Sequence, residues 1–115
     1  MANDFKNAIA QNVSNAAGGT TIYTTPATKT SIMLELDIAN TTQNVVEASV
    51  EILDSSVSAS AWRYLVKNAP VPSGGSLMVI AGQKIVLEAG DKVRVPSSAA
   101  NVMDAVAAIL EDVNS

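Results

Sequence analysis

The clearest signal along the chain is a two-residue alternation. From Ser31 to Ala39, Ile32, Leu34, Leu36 and Ile38 fall on one side and Met33, Glu35, Asp37 and Ala39 on the other. This is the pattern of a half-buried strand, whose side chains point alternately to core and solvent. After Asn40 to Asn44, which reads NTTQN, Val46, Ala48, Val50 and Ile52 alternate with Val45, Glu47, Ser49 and Glu51. Two such runs separated by turn residues predict an antiparallel hairpin. Past the small, polar segment DSSVSAS (54–60), Trp62, Tyr64 and Val66 alternate with Arg63, Leu65 and Lys67, which predicts another strand.

Shorter runs fill the rest. Thr20 to Thr24, rich in β-branched residues and followed by Pro26, reads as a strand. APVPSGG (69–75) breaks regular structure, since Pro70 and Pro72 lack ladder donors and Gly74 and Gly75 permit positive φ, so a surface crossover is expected there. SLMVI, the turn AGQ, KIVLE, the turn AGD and KVRV then give three short strands, a spacing typical of sandwiches and barrels. The two ends read differently. Phe5, Ala8, Ile9 and Val13 fit one helical face, and so do Val102, Val106, Ile109, Leu110 and Val113, so local periodicity favours helix at both.

Composition narrows the functional classes. With 115 residues, one domain spanning 1–115 is expected. Hydrophobic residues make up 48% of the chain but aromatics only 3%, so its core must be aliphatic. The net charge is −4 and no Lys or Arg cluster forms a phosphate-binding stripe, which argues against nucleic acid as a partner. No apolar run approaches the roughly 20 residues that cross a bilayer, and the opening MANDFKNAIAQNVSN lacks a signal-peptide layout, so no membrane partner is expected.

Histidine and cysteine are both absent. Structural zinc, thiolate nucleophiles and imidazole acid–base chemistry therefore cannot be assembled. Catalysis would fall to carboxylates, but Glu35 with Asp37 and Glu47 with Glu51 read as solvated outward charges, and Glu111 with Asp112 forms no recognisable acid–base pair. Asp91 lies in no calcium-loop pattern, and Gly18-Gly19 and Gly74-Gly75 read as turns rather than phosphate cradles. The expectation is a protein with no catalytic, cofactor-binding or metal-binding residues, and no cofactor. Trp62 and Tyr64, at i and i+2, fit a core or oligomer contact, or less readily a stacking platform for sugar rings.

The segments TTIYTTPATKTSIMLELDIANTT, YLVKNAPVPSGGSLMVIAGQKIVLEAGDKVRVPSS and VMDAVAAILEDV resemble small virion structural proteins of tailed bacteriophages, particularly those infecting cyanobacteria and marine bacteria. The likeness covers about four-fifths of the chain, from FKNAIAQNV onward, and centres on LVKNAPVPSGGSLMVI and KIVLEAGDKV. It implies an all-β, antiparallel β-sandwich, jelly-roll-like, in which FKNAIAQNV and VMDAVAAILEDV are both strands. We adopt that reading over the local helices, because strands buried on both faces form near-continuous apolar runs that periodicity cannot interpret. The resemblance further implies a capsid decoration or cement subunit, or a neck, tail or fibre accessory, within a virion assembled in the host cytoplasm. It brings no catalytic residue.

On that reading the partners are other copies of the chain and the major capsid protein. A trimer is expected, since self-association extends the core of a small sandwich. The interface candidates are Met33, Val45, Leu65 and Val86 on one exposed face, Trp62 and Tyr64, Pro70 and Pro72 in the crossover, and the loop 54–60. The alternative is a glycan- or receptor-binding module that stacks on Trp62 and Tyr64.

Overall fold

The computed structural model describes residues 4–13, 19–58, 62–97 and 102–111, with the backbone alone for Asp4 and residues 81–83. Among them run eight strands: β1 (Asp4–Ala10), β2 (Thr20–Thr24), β3 (Ser31–Asn40), β4 (Val46–Leu53), β5 (Trp62–Val71), β6 (Ser76–Leu87), β7 (Lys92–Val95) and β8 (Met103–Glu111). They make two antiparallel sheets, ordered β1-β8-β3-β6 and β2-β7-β4-β5. The pairing of β1 with β8, β2 with β7, β3 with β6 and β4 with β5 is nested. One long antiparallel ribbon rolled into two layers gives this order, and the fold is the expected all-β, antiparallel sandwich.

The layers close over aliphatic side chains. Met33, Leu36 and Ile38 of β3, Ile80 and Leu87 of β6, and Met103, Ala105, Ala107 and Ile109 of β8 meet Val46, Ala48 and Val50 of β4, Val71, Val93 and Val95. Of Phe5, Tyr23, Trp62 and Tyr64, only Tyr23 packs against this cluster. β1 and β8 are both strands, as the adopted reading had them and against the local helical periodicity. In β8, burial alternates strictly, with Met103, Ala105, Ala107 and Ile109 inside and Val106 outside.

Four further expectations are corrected. First, β3 and β4 form no hairpin: they lie in different sheets, and NTTQN crosses between the layers. Asn40 holds this crossing. Its Nδ2 donates to the carbonyls of Asn44 (2.6 Å), Val71 (3.0 Å) and Pro72 (3.1 Å), while its Oδ1 accepts from the amide and hydroxyl of Thr42. Second, the alternation of β3 changes phase. The register against both β6 and β8 shifts between Met33 and Glu35, so Met33 is inside, Ile32 and Leu34 are half-buried, and Leu36 and Ile38 are inside again. A bulge of this kind moves every side chain before it to the other face. Met33, read as exposed, is 0% exposed.

Third, AGQ is not a turn. β6 is continuous, with Ala81 opposite Glu35 and Ile85 opposite Met33, so the segment is absorbed as extra residues in a bulge. Fourth, β5 runs on through Ala69, Pro70 and Val71 before the chain crosses over. Proline is tolerated there because β5 is an edge strand. Pro72, Ser73 and Gly74 then turn, with Gly74 at φ 66° and the Gly75 amide donating to the Pro72 carbonyl at 2.9 Å. Gly19 is required for a different reason: a Cβ there would collide with the Val95 carbonyl and the Pro96 backbone.

Candidate interaction surface

Because Met103, Ala105, Ala107 and Ile109 point inward, Asp104, Val106, Ala108 and Leu110 point outward from β8. The register then defines what the outer face of the first sheet carries. Phe5 lies opposite Leu110, Leu110 opposite Ile32, and Ile32 opposite Val86, an unbroken apolar row across four strands. Ile9, Val106, Asp37 and Met78 form a second row, with Asn7, Ala108, Glu35 and position 81 between the two. Phe5 is 77% exposed and Met78 67%; Ile9, Val86 and Val106 are exposed as well. Of the nine exposed large hydrophobic residues among those described, these five share one face. Singly scattered they would need no explanation, but here they gather on one sheet face as two apolar rows, with the polar Asn7 and Glu35 between them. Asp37 interrupts the second row, its Oδ1 buried without a hydrogen-bond partner.

The second sheet presents the opposite chemistry. Thr21, Arg94, Glu51 and Tyr64 form its corresponding outer row. Arg94 Nε donates to Glu51 Oε2 at 2.8 Å, and its guanidinium lies 3.7 Å from the Trp62 ring centroid. Glu51, read as a solvated charge, is in fact buried beneath this pair. Lys67 Nζ sits 5.3 Å over the Tyr64 ring. Charges and aromatic faces on this side engage one another, and each such cation–π contact contributes about 0.5–2 kcal/mol.

The residues singled out in the sequence do not converge. Met33 is in the core, Val86 lies on the outer face of the first sheet, exposed Leu65 is on edge strand β5, and exposed Val45 immediately precedes β4. Trp62 is half-buried with one face taken by Arg94, Tyr64 is exposed, and Pro70 and Pro72 are exposed at the β5 end of the crossover. Of the loop 54–60, residues 59 and 60 lie outside the described residues, as do Gly18 and Asp112. Sequence reasoning missed Phe5, Ile9, Met78 and Val106 as a group. A period-2 reading of Phe5, Asn7 and Ile9 was the available signal, but the strand reading of this segment was taken from the resemblance without assigning its faces.

Two polar clusters finish the picture. At one end of the sandwich Glu111, 3% exposed, accepts from Tyr23 Oη at 2.6 Å and pairs with Lys6 Nζ at 2.8 Å, while Tyr23 Oη and Ser31 Oγ lie 2.8 Å apart. Glu111 thus ties β8 to β1 and to β2 of the other sheet. The Lys6 ammonium and then the Tyr23 hydroxyl hold the Glu111 carboxyl below the usual glutamate range. Burial and the adjacent carboxylate push the Tyr23 phenol up to about 12. Nearby, a cleft of about 410 Å³ is lined by residues including Thr28, Lys29, Ser55, Ser56 and Glu88. Its Asp91 is spoken for: Oδ1 accepts from the Ser55 amide and hydroxyl at 3.0 Å, and Oδ2 from the Glu88 amide at 2.9 Å. Among the described residues, no three Asp or Glu side chains gather as metal ligands.

No protein-family model matches the sequence, and no curated protein matches it. Two solved structures have a similar backbone course. One is a chain of the T13 particle of infectious bursal disease virus, at a TM-score of 0.49 and 13% identity, matched over 95% of this chain and 30% of its own length. The other is a chain of the Gt strain of the same virus, at a TM-score of 0.43 and 12% identity, over 95% and 32% respectively. The present chain spans about a third of the length of these virus chains, and at this distance no residue role passes between them.

Proposed function

We propose that this chain is a non-enzymatic structural subunit of a bacteriophage particle, a capsid decoration or cement protein that self-associates and docks on the lattice of the major capsid protein. The observation that carries the reading is the apolar outer face of the first sheet, set on a rigid two-layer body whose other face is polar and internally paired. Jelly rolls serve both capsids and lectins, so the fold does not choose between them. The sequence likeness to phage virion proteins favours the first. The buried carboxylates Glu51, Asp91 and Glu111 support a role without catalysis, because each is already engaged by structural donors.

Particles banded on a density gradient should contain the chain in fixed proportion to the major capsid protein. A Met78→Lys/Val86→Lys variant should fold and yet be lost from them. Particles that lack the wild-type chain would contradict the proposal.

A second reading, a glycan-binding module of the tail or fibre, draws on the exposed ring of Tyr64. It is the weaker one, since Arg94 occupies a face of Trp62 and the polar cleft has no aromatic lining residue. Binding on a glycan array that Tyr64→Ala abolishes would promote it over the capsid role.

A further inference from the structure

The four sheet edges are not alike. β2 has five residues, a register shift between Thr21 and Tyr23, and Pro26 beyond its end. β5 carries Asn68 at φ 52°, Pro70, and the exposed charges Arg63 and Lys67. β6 has two register shifts against its neighbour and an exposed Lys84. Bulges, prolines and charges of this kind prevent an edge from pairing with another chain. β1 has none of these devices between Phe5 and Ala10 apart from Lys6, whose ammonium is drawn to Glu111. Its seven residues pair with β8 without a register shift, and among the described residues no strand covers its other edge. Phe5 and Ile9, two of the most exposed apolar side chains, stand on this edge strand.

We infer that β1 is a self-pairing edge: two copies join β1 to β1, antiparallel and two-fold, into one continuous eight-stranded sheet. The sequence DFKNAIA is complementary to itself in one register. Centred on Asn7, it sets Phe5 opposite Ile9 of the second copy, Ile9 opposite Phe5, and Asn7 opposite Asn7 on the axis. Aromatic–β-branched pairs are among the favourable cross-strand contacts. Lys6 then faces Ala8, position 4 faces Ala10, and no like charges meet.

Neighbouring registers are worse. Centring on Lys6 puts two ammonium groups opposite each other, and centring on Ala8 moves Phe5 opposite Gln11, beyond the strand. A shift by a single residue would put outward side chains opposite inward ones and break the face. In the favoured register the two apolar rows of one copy continue into those of the other. A two-fold contact uses the same patch on both subunits, as this one does. It predicts a dimer, in place of the trimer expected from chain size. The inference gives the proposed self-association its surface, and its test reads contact geometry rather than particle content, so either can fail alone.

The chain has no cysteine, which makes the register directly readable. Residues directly opposite in an antiparallel pair have Cα atoms about 4.5–5.5 Å apart, within the range a disulfide spans. Asn7 is exposed, so Asn7→Cys is expected to fold and to form a covalent dimer on mild oxidation. Phe5→Cys or Ile9→Cys alone should not, because like positions lie about 13 Å apart in this register. In light scattering at micromolar concentration the wild type should have twice the chain mass, and Phe5→Lys/Ile9→Lys the chain mass with an unchanged far-ultraviolet spectrum. A wild-type monomer or trimer would overturn the inference, and so would Asn7→Cys linking no faster than Ile9→Cys.

Discussion

Met33 and Val86 illustrate how much a single residue's meaning depends on the phase of its strand. Both were read onto one exposed face, yet Met33 is wholly buried and Val86 stands out in solvent. Met33→Ala should therefore cost about 2–5 kcal/mol in denaturant unfolding. Val86→Ala should change stability by no more than about 0.5 kcal/mol. Asn40 has a different importance, since it satisfies three carbonyls of two separate loops. Asn40→Ala leaves those acceptors unmatched and should cost about 2–3 kcal/mol by the same measurement.

Glu111 makes stability depend on acid. Its folded pKa is lowered, so its contribution is complete above the ordinary glutamate value and is lost as pH falls through the depressed one. Tyr23, pushed up to about 12, acts at the other extreme: its contribution is complete below about pH 10 and fades as pH rises towards 12. Unfolding of Glu111→Gln followed between pH 2 and 6 should show a flatter acid limb than the wild type. A limb of unchanged slope would mean that the carboxylate is not what the Lys6 and Tyr23 contacts stabilise.

At the scale of elements, the sequence exposed strands where one face met solvent and concealed them where it did not. β3 and β4 were legible because Glu35, Asp37 and Glu47 mark an outside. Their pairing was not, because turn composition is the same whether NTTQN closes a hairpin or crosses between layers, and only the hydrogen bonds of Asn40 distinguish the two. β8's local periodicity pointed to a helix, and only the resemblance led to the strand reading that holds: its outward residues Val106, Ala108 and Leu110 are as apolar as its inward ones, so the period of two disappears. The observed alternation can be tested against the helical reading. Ala107→Leu should destabilise by about 1–3 kcal/mol through overpacking, while Val106→Leu should be close to neutral. The helical face, which contains Val106 but not Ala107, predicts the reverse order.

The candidate surface was the least legible part. Phe5, Leu110, Ile32 and Val86 are far apart in the chain and become one row only through three inter-strand registers. Two of those registers contain bulges that no sequence periodicity announces. Composition removed His and Cys from consideration but did not show which carboxylates are buried: Glu51, read as solvated, is paired with Arg94 beneath the surface.

Taken whole, the molecule is a two-sided slab. Its second sheet binds its own charges in Arg94–Glu51 and Arg94–Trp62 contacts, while its first sheet leaves two rows of aliphatic and aromatic side chains in water. The proposed role by contact rests on that asymmetry. The most direct test is an electron-microscopy map of the intact particle at a resolution that separates strands. It should show the eight-stranded sandwich on the shell, with Phe5, Val86 and Met78 turned against a neighbouring subunit and Arg94 facing solvent. A sandwich oriented the other way, with the β1-β8-β3-β6 face bare, would contradict the account.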